Sequence, residues 1–497
     1  MIIWGINAMN HDASISVVDS DTREILFAGH AERYSRVKND THLNMGLIND
    51  ARHEGGEPDL IVWFENPWGR KLRYLKSGQR DLLWEQSPKA YLKTFKINAP
   101  IKYSDHHASH AAGSYFTSGF NNAAILVIDA IGELTTASIW EGKGNKLKKK
   151  WSLKYPNSIG LFYSAITDLC GLKPNEEEYI LMGMAAYGNE EQATLIAEYI
   201  AGEYFTGHNE ILQGYNFHQG IKHDDILNLC IQTEQGRFDI AAAAQRITTN
   251  LIQKLVDKAG DLIPSGNLVY SGGVSLNCVA NTEVMTNSMF NKMWIMPNPG
   301  DAGNSLGAIA NYLRKPLKWK GPFLGHHIHR PLDIEGIINE LSTTGICGVA
   351  NGRAEFGPRA FGNRSLLADP RRPDIKDKVN AIKKRQEFRP FAPAVLARFA
   401  DDCFVFPQYI TDAKYMQYII EVREPEKYPA ISHVDNSARV QTVDEEAVTM
   451  NKILEAWYAR TGCPMLLNTS LNIKGEPLVD SWLDAKRWQG LYHVKVF

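Results

Sequence analysis

A duplicated α/β core followed by a smaller α/β domain is the fold class predicted for this 497-residue chain, on three observations. Ile2–Ile6, a polar turn over Asn7–Asp12, and Ala13–Val18 read as two short strands around a tight loop, and Ile125–Asp129 followed by Leu134–Trp140 repeats the design. The length exceeds what one hydrophobic core usually organises. Around 315–332 the pattern breaks into loop sequence rich in Lys, Gly, Pro and His, from Lys315-Pro316 through Gly321-Pro322 to Arg330-Pro331, and new strand and helix signals follow. Two units are therefore expected, at 1–325 and 332–497. After the second strand pair, segment 191–260 reads as largely helical, and Asn267–Ser271 with Gly272-Gly273 reads as a strand turning into a helix whose start can face phosphate.

Composition excludes several classes. Apolar residues at 44% and charged residues at 22% are those of a soluble globular protein, and a net charge of -2 points to no particular polyanionic partner. The six cysteines are scattered without a Cys-x-x-Cys pair, which fits a reducing compartment rather than a disulfide or zinc-finger scaffold. No apolar run approaches the roughly 20 residues that span a bilayer, and the N-terminus has no secretory pattern. A cytoplasmic protein without a membrane partner is expected.

Glu355-Phe-Gly-Pro-Arg-Ala-Phe-Gly-Asn-Arg-Ser365, closing on Ala368-Asp-Pro-Arg-Arg372, sets arginines between turn formers and lacks any regular periodicity. It reads as an anion-gripping loop, with Arg359 and Arg364 offering planar forks to phosphate or carboxylate oxygens. It is not a P-loop, because no Lys-Ser/Thr follows the second glycine. His106 and His110 lie four residues apart, on one face of a helix, where both can reach one metal ion. Asp129 and Asp301, each at a strand end or glycine-bounded turn, would complete a site compatible with iron, manganese or zinc. Capping or core packing is the alternative for each residue. The later cluster His326-His-Ile-His329 reads as surface.

Read together and in order, Asn10-His-Asp-Ala-Ser14, His106-His-Ala-Ser-His110, Asp129–Glu133, Glu178–Gly188, Ser271–Asn277, Gly300-Asp301, Glu355–Arg372, Phe388–Pro393 and Leu466–Ser470 resemble the ATP-dependent O-carbamoyltransferases, the family of the tobramycin, cephem and nodulation-factor enzymes. The resemblance implies an N-terminal domain of the actin-like ATPase superfamily and a C-terminal domain similar to threonylcarbamoyl-adenylate synthase. It implies that carbamoyl phosphate and ATP, with magnesium, become carbamoyl-adenylate in the C-terminal domain, and that an acceptor hydroxyl takes the carbamoyl group at the metal-bearing domain as AMP leaves. Carried across, the metal ligands are His106, His110, Asp129 and Asp301, with Fe2+ favoured over Mn2+ or Zn2+. The adenylate would lie against Gly272, Gly273 and Asn277. Arg359, Arg364, Lys383, Arg385, Arg389, Arg439 and Ser470 would form a cationic cradle, which suits adenylyl transfer because charge accumulates on oxygens in its transition state. A solvated helix face is the alternative for Lys383-Lys-Arg385. His11, beside Asp12, is the candidate to orient or deprotonate the acceptor, on the expectation of a neutral imidazole. Ala130, Asn10 and Gln386 depart from the usual pattern without removing a reactive group, and Lys486–Phe497 diverges from the usual tail.

Trp68–Lys102 carries nine Lys/Arg interleaved with Trp68, Tyr74, Trp84, Tyr91 and Phe95. Basic and aromatic side chains together suit phosphate backbone and unstacked bases, so Arg70, Arg73, Trp84 and Tyr91 are candidate contacts to a hydroxymethylated pyrimidine in DNA. An amphipathic insertion packed on the core is the alternative, with a small sugar or antibiotic hydroxyl as acceptor. A tRNA threonylcarbamoyl-type enzyme and a silent nucleotide-binding module are the competing classes, and oligomerisation is open.

Overall fold

The computed structural model describes residues 1–205, 215–221, 224–389 and 391–497. In the first sheet β1 (Ile2–Asn7), β2 (Ser14–Asp19) and β3 (Glu24–His30) form an antiparallel meander. Next, β4 (Leu60–Phe64) and β5 (Ile101–Ser104) add in parallel on the other side of β1, giving the order β3-β2-β1-β4-β5. In the second sheet β6 (Asn122–Gly132), β7 (Thr135–Lys143), β8 (Lys146–Lys154), β9 (Asn267–Ser271) and β10 (Lys292–Ile295) repeat the same order with the same strand senses. One connectivity used twice is a duplicated α/β architecture, as the repeated strand-turn-strand pattern led one to expect. Leu60–Phe64 and Ala123–Val127 are buried throughout, as continuous apolar runs in a covered sheet require, whereas the lysine-rich edge strand β8 is largely in solvent.

Two helices join the halves. His106–Tyr115 packs on β6, β7 and β9, Asn304–Leu313 packs on β1, β2 and β4, and the two pack on each other. Their approach depends on glycine: a Cβ on Gly113 would lie 2.9 Å from Gly307 Cα, and one on Gly307 only 2.3 Å from the Ser109 carbonyl oxygen. Gly307→Ala is expected to cost about 1–3 kcal/mol, read as a fall in the urea midpoint. An unchanged midpoint would mean that the crossing has slack.

The C-terminal part adds β11 (Phe323–Ile328), β12 (Ile346–Ala350), β13 (Gly352–Glu355), β14 (Arg364–Ala368), β15 (Ala392–Leu396), β16 (Phe404–Val405), β17 (Ile419–Val422), β18 (Ser437–Arg439), β19 (Gln441–Val443) and β20 (Met465–Ser470). A mixed sheet in the order β12-β14-β20-β15-β19 is packed over a core that includes Val349, Leu366, Val395 and Leu466. The divergent tail continues the helix Trp482–Tyr492 and then runs along β12, where Gly348 and Ala350 N–H groups donate to Lys495 and Phe497 carbonyls.

Two expectations change. Segment 315–332 is not all loop: β11 lies there and pairs antiparallel with β13, a pairing across sequence that local pattern does not reveal. Helices Glu190–Tyr204, Asp225–Cys230 and Glu234–Leu262 occupy most of 191–260, while 206–214 and 222–223, read as helical, lie outside the described residues, as does Pro390.

His326, on β11, is not a bare surface residue: its Nδ1 lies 2.7 Å from Asp50 Oδ2, which also accepts from Tyr34 at 2.7 Å. The Asp50 hydrogen bond raises the His326 pKa, with burial opposing. Burial raises Asp50, but His326 and Tyr34 bonds outweigh it and lower that carboxyl. The histidine's contribution to stability is fully present below its ordinary pKa and lost as pH rises through the raised value. The carboxyl's is present above its ordinary pKa and lost as pH falls through the lowered one. The stability deficit of His326→Ala is therefore expected to peak at about pH 5 to 6 and to vanish in alkaline solution, a profile measurable by urea unfolding across pH. A deficit independent of pH would remove this pair from the account.

Candidate active site

His106 and His110 stand one turn apart on a helix whose ten residues are all buried. Asp129 reaches them from β6 and Asp301 from the turn after β10, so that one ligand atom from each of the four lies within 4.8 Å of the others. His106 Nε2 is 2.9 Å from Asp129 Oδ2 and 3.3 Å from Asp301 Oδ1, and His110 Nε2 is 3.5 and 3.3 Å from the same oxygens. The two Nε2 atoms face each other at 3.2 Å, and the buried Asp301 Oδ1 has no hydrogen-bond partner. Two lone-pair nitrogens and two carboxylates converging in a buried space call for a cation, and the donor set fits a divalent borderline metal. Without a metal, burial lowers both imidazoles, but the Asp301 and Asp129 carboxylates outweigh it and raise them. Burial raises the carboxyls and the histidines more than reverse that.

Two asparagines with no site signal of their own in the sequence hold this geometry. Asn7, fully buried at the end of β1, donates through Nδ2 to the carbonyls of His11, Asp12 and Asp301 at 3.0, 2.9 and 3.0 Å. Asn304 Nδ2 lies 2.8 Å from His110 Nε2. Gly132 makes room for the cluster, because a Cβ there would sit 2.3 Å from His106 Cδ2.

A cavity of about 1430 Å³ opens over this cluster and extends to the C-terminal part. Its walls include His11, Asp12, Asp129 and Asp301 from the N-terminal part and Arg359, Lys383, Arg385, Arg389, Arg439 and Ser470 from the C-terminal part, with Gly273 and Asn277 on the wall as well. Lys383 Nζ donates to Ser470 O at 2.6 Å, Ser470 Oγ at 3.1 Å and Asn472 Oδ1 at 2.8 Å. Arg385 Nε donates to Asn380 Oδ1 at 2.7 Å and its guanidinium stacks 3.8 Å from the Phe391 ring centroid, while Arg389 lies 4.7 Å from that of Tyr179. Among the described residues Arg359, Lys383, Arg389 and Arg439 form no ion pair with a carboxylate. Burial first, and then Arg385 and Arg389, push the Lys383 ammonium well below its ordinary pKa. Burial and the Arg439 cation bring Arg359 down to about 9. Arg359, Lys383, Arg389 and Arg439 on one buried wall create a demand for anion that no carboxylate among the described residues meets. Lys383 and Arg385 accordingly face the cavity rather than solvent, while Lys384 between them is exposed.

Several expected contacts fall elsewhere. Arg364 is fully buried off the cavity, and its guanidinium donates to the carbonyls of Asp480, Asn351, Gly352, Asn363 and His326 at 2.8 to 3.3 Å. Glycine framing serves an arginine that grips its own backbone as well as one that grips a ligand. Arg364→Ala is expected to cost about 3 kcal/mol or more through orphaned carbonyls, seen as a lower urea midpoint. Normal stability with lost adenylation would return it to the ligand site. Gly272 does not line the cavity either: at φ +92 a Cβ would meet the Ile128 carbonyl oxygen at 2.1 Å, so its glycine serves the close approach of β9 to β6.

Of the proposed acceptor contacts only Arg73 lines the cavity, held by Glu65 at 2.7 Å. Arg70 is buried against Glu85, Met9 O and Tyr74; Tyr91 is a core residue whose hydroxyl accepts from Leu43 N at 2.7 Å; Trp84 is exposed on the outer surface. Arg73, Arg70 and Tyr91 take partners from other elements (Glu65, Met9 and Leu43), which a basic and aromatic composition does not specify. His11 differs in charge from expectation. Burial lowers it, but the Asp12 hydrogen bond at 2.8 Å and the charges of Asp12, Asp301 and Asp129 raise it to about 9, so the imidazole is cationic at neutral pH when no metal is present.

A duplicated α/β fold whose cleft joins a His/Asp cluster to a cationic wall is the frame of an enzyme that handles an anionic substrate. Residues 70–310 match the family described as Carbamoyltransferase N-terminus and residues 338–496 the one described as Carbamoyltransferase C-terminus. The chain belongs to the carbamoyltransferase family. It is 34% identical to the uncharacterized protein sll1178 of Synechocystis sp., over 98% of this chain and 93% of that one. It is 32% identical to the nodulation protein NolNO of Sinorhizobium fredii, over 96% and 76%, and 27% identical to the 3'-hydroxymethylcephem-O-carbamoyltransferase of Amycolatopsis lactamdurans, over 95% and 94%.

Proposed function

We propose that this carbamoyltransferase makes carbamoyl-adenylate from carbamoyl phosphate and ATP and passes the carbamoyl group to an acceptor hydroxyl. The single observation that carries this reading is the one cavity bounded by both the His/Asp cluster and the cationic cradle. In the proposed division of labour, 332–497 forms the adenylate and 1–325 transfers from it. For the adenylate to form, water first hydrolyses carbamoyl phosphate to carbamate and orthophosphate, and a carbamate oxygen then attacks the ATP α-phosphorus as pyrophosphate leaves. Lys383, Arg359, Arg385, Arg389 and Arg439 hold those oxygens in place and offset the charge they gain.

Gly273 and Asn277 are the groups proposed to receive the AMP portion at the transfer end. Asn277 is fixed for this by a reciprocal amide pair with Gln245 at 3.0 and 3.1 Å. His106, His110, Asp129 and Asp301 would hold a divalent metal, iron(II) first, which when bound supplies Lewis-acid polarisation at the transfer site. His11, fixed on Asp12, orients the acceptor hydroxyl, and the Asp12 carboxylate accepts its proton as the acceptor oxygen bonds to the carbamoyl carbon and AMP leaves.

A small hydroxyl compound is the acceptor we favour over DNA, because Arg70 and Arg73, two of the cations expected to grip phosphates, are spent on Glu85 and Glu65. The test is mass spectrometry after incubating the protein with ATP, carbamoyl phosphate and Fe(II), with 5-hydroxymethylcytosine DNA in one arm and a panel of sugar and antibiotic alcohols in the other. AMP release with carbamoylation of a small alcohol is the expected result. Carbamoylated DNA would reverse the acceptor assignment. Activity that requires threonine and bicarbonate would replace the function with tRNA-type threonylcarbamoyl chemistry.

A further inference from the structure

The helix Pro67–Ser77 is inside out for a surface helix. Its charged residues Arg70 and Arg73 point inward to Glu85 and Glu65, while Trp68, Leu72 and Leu75, spaced i, i+4 and i+7, are 80%, 44% and 52% exposed. The following turn Arg80–Trp84 extends this face with Leu82 and with Trp84, which is 89% exposed. Exposed indoles and leucines gathered on one segment mark a contact surface. The exposed charges on the same segment are Lys71, Lys76 and Arg80 against Asp81 alone, and Lys71 Nζ lies 5.9 Å from the Trp68 ring centroid.

We infer that this face docks the enzyme on an anionic lipid surface. Tryptophan and leucine edged by lysine and arginine are the side chains of a helix that lies in the headgroup region, with the cations meeting anionic phosphates. Charge complementarity decides against a second copy of the chain, since a twofold contact would set Lys71, Lys76 and Arg80 against their own counterparts. Against a polynucleotide stand the guanidinium forks of Arg70 and Arg73, turned inward, and Leu72, Leu75 and Leu82, which separate the indoles and offer bases no stacking surface. Ser77, Gln79, Leu82 and Glu85 of the same segment line the cavity, so docking places the cavity mouth at the lipid surface. That position suits an acceptor hydroxyl borne by an amphiphile, a step that rests on the proposed carbamoyl transfer; the docking itself does not.

The test is sedimentation of the full chain with phosphatidylcholine vesicles, with and without phosphatidylglycerol. The parent is compared with Trp68→Ser/Leu72→Ser/Trp84→Ser and with Lys71→Gln/Lys76→Gln/Arg80→Gln. Binding to phosphatidylglycerol vesicles that weakens about ten-fold in each variant and falls with salt is the expected result. Equal binding to both vesicle types, absence of binding, or variants that bind like the parent would overturn the inference. So would concentration-dependent self-association lost in the apolar variant, or retention of single-stranded DNA without retention of vesicles. Carbamoyl-phosphate-dependent pyrophosphate release, measured in parallel, should be equal in parent and variants. Its absence in the parent would count against the proposed reaction and leave the docking result intact.

Discussion

Asp301→Ala should abolish transfer to the acceptor while pyrophosphate release, the product of adenylate formation, continues. Asp301 supplies one of four converging ligand atoms, and its Oδ1 makes no hydrogen bond that would give it a separate structural task. Removing the carboxylate leaves His106 and His110 facing each other with only Asp129 to balance a cation. Residues that merely support metal ligands typically cost 10–100-fold when replaced, so a ligand itself should cost transfer about 100-fold or more. The measurement is carbamoylated product against pyrophosphate from one reaction, together with metal content after gel filtration of the Fe(II)-loaded protein. Equal loss of both products would sink the division of labour between the two parts of the chain. Full metal retention would remove Asp301 from the ligand set.

Lys383→Met should have the opposite signature, with pyrophosphate release lost and transfer from supplied carbamoyl-adenylate retained. The Lys383 amine stands in a buried cationic wall and forms no ion pair among the described residues, so an incoming phosphate would be the partner that favours its charged form. Methionine keeps much of the volume and removes the charge, which should lower adenylation about 100-fold or more, the scale of a lost preorganised electrostatic contact. Because Lys383 also ties Ser470 to Asn472, thermal unfolding must accompany the kinetics. If stability falls while the rate per folded molecule is unchanged, the lysine is a fastener and not part of the cradle.

Much of this site was legible before the fold was seen, for identifiable reasons. The four-residue spacing of His106 and His110 is a helical period, and the helix His106–Tyr115 presents both to one point. The repeated strand-turn-strand pattern is the start of each five-stranded sheet. The failures share one cause. Arg359 and Arg364 occupy the same glycine-framed loop, yet one lines the cavity and the other is saturated by five carbonyls that come from as far away as Asp480. Arg70 and Tyr91 belong to a basic and aromatic segment whose inner and outer faces composition does not distinguish. The positioning roles of Asn7 and Asn304 have no sequence signature, because a single asparagine carries no periodic or spacing signal, although each holds a group of the site in place.

By itself the sequence determined which local elements form and which chemically able groups recur at helical or strand spacing, since those depend on residues a few positions apart. Only the tertiary structure decided which of those groups share a cavity, which cations remain without an anion and which face of Pro67–Ser77 meets solvent. Burial and pairing are set by partners tens to hundreds of residues away, and the same arginine is a ligand group or a structural clamp according to what the fold places against it.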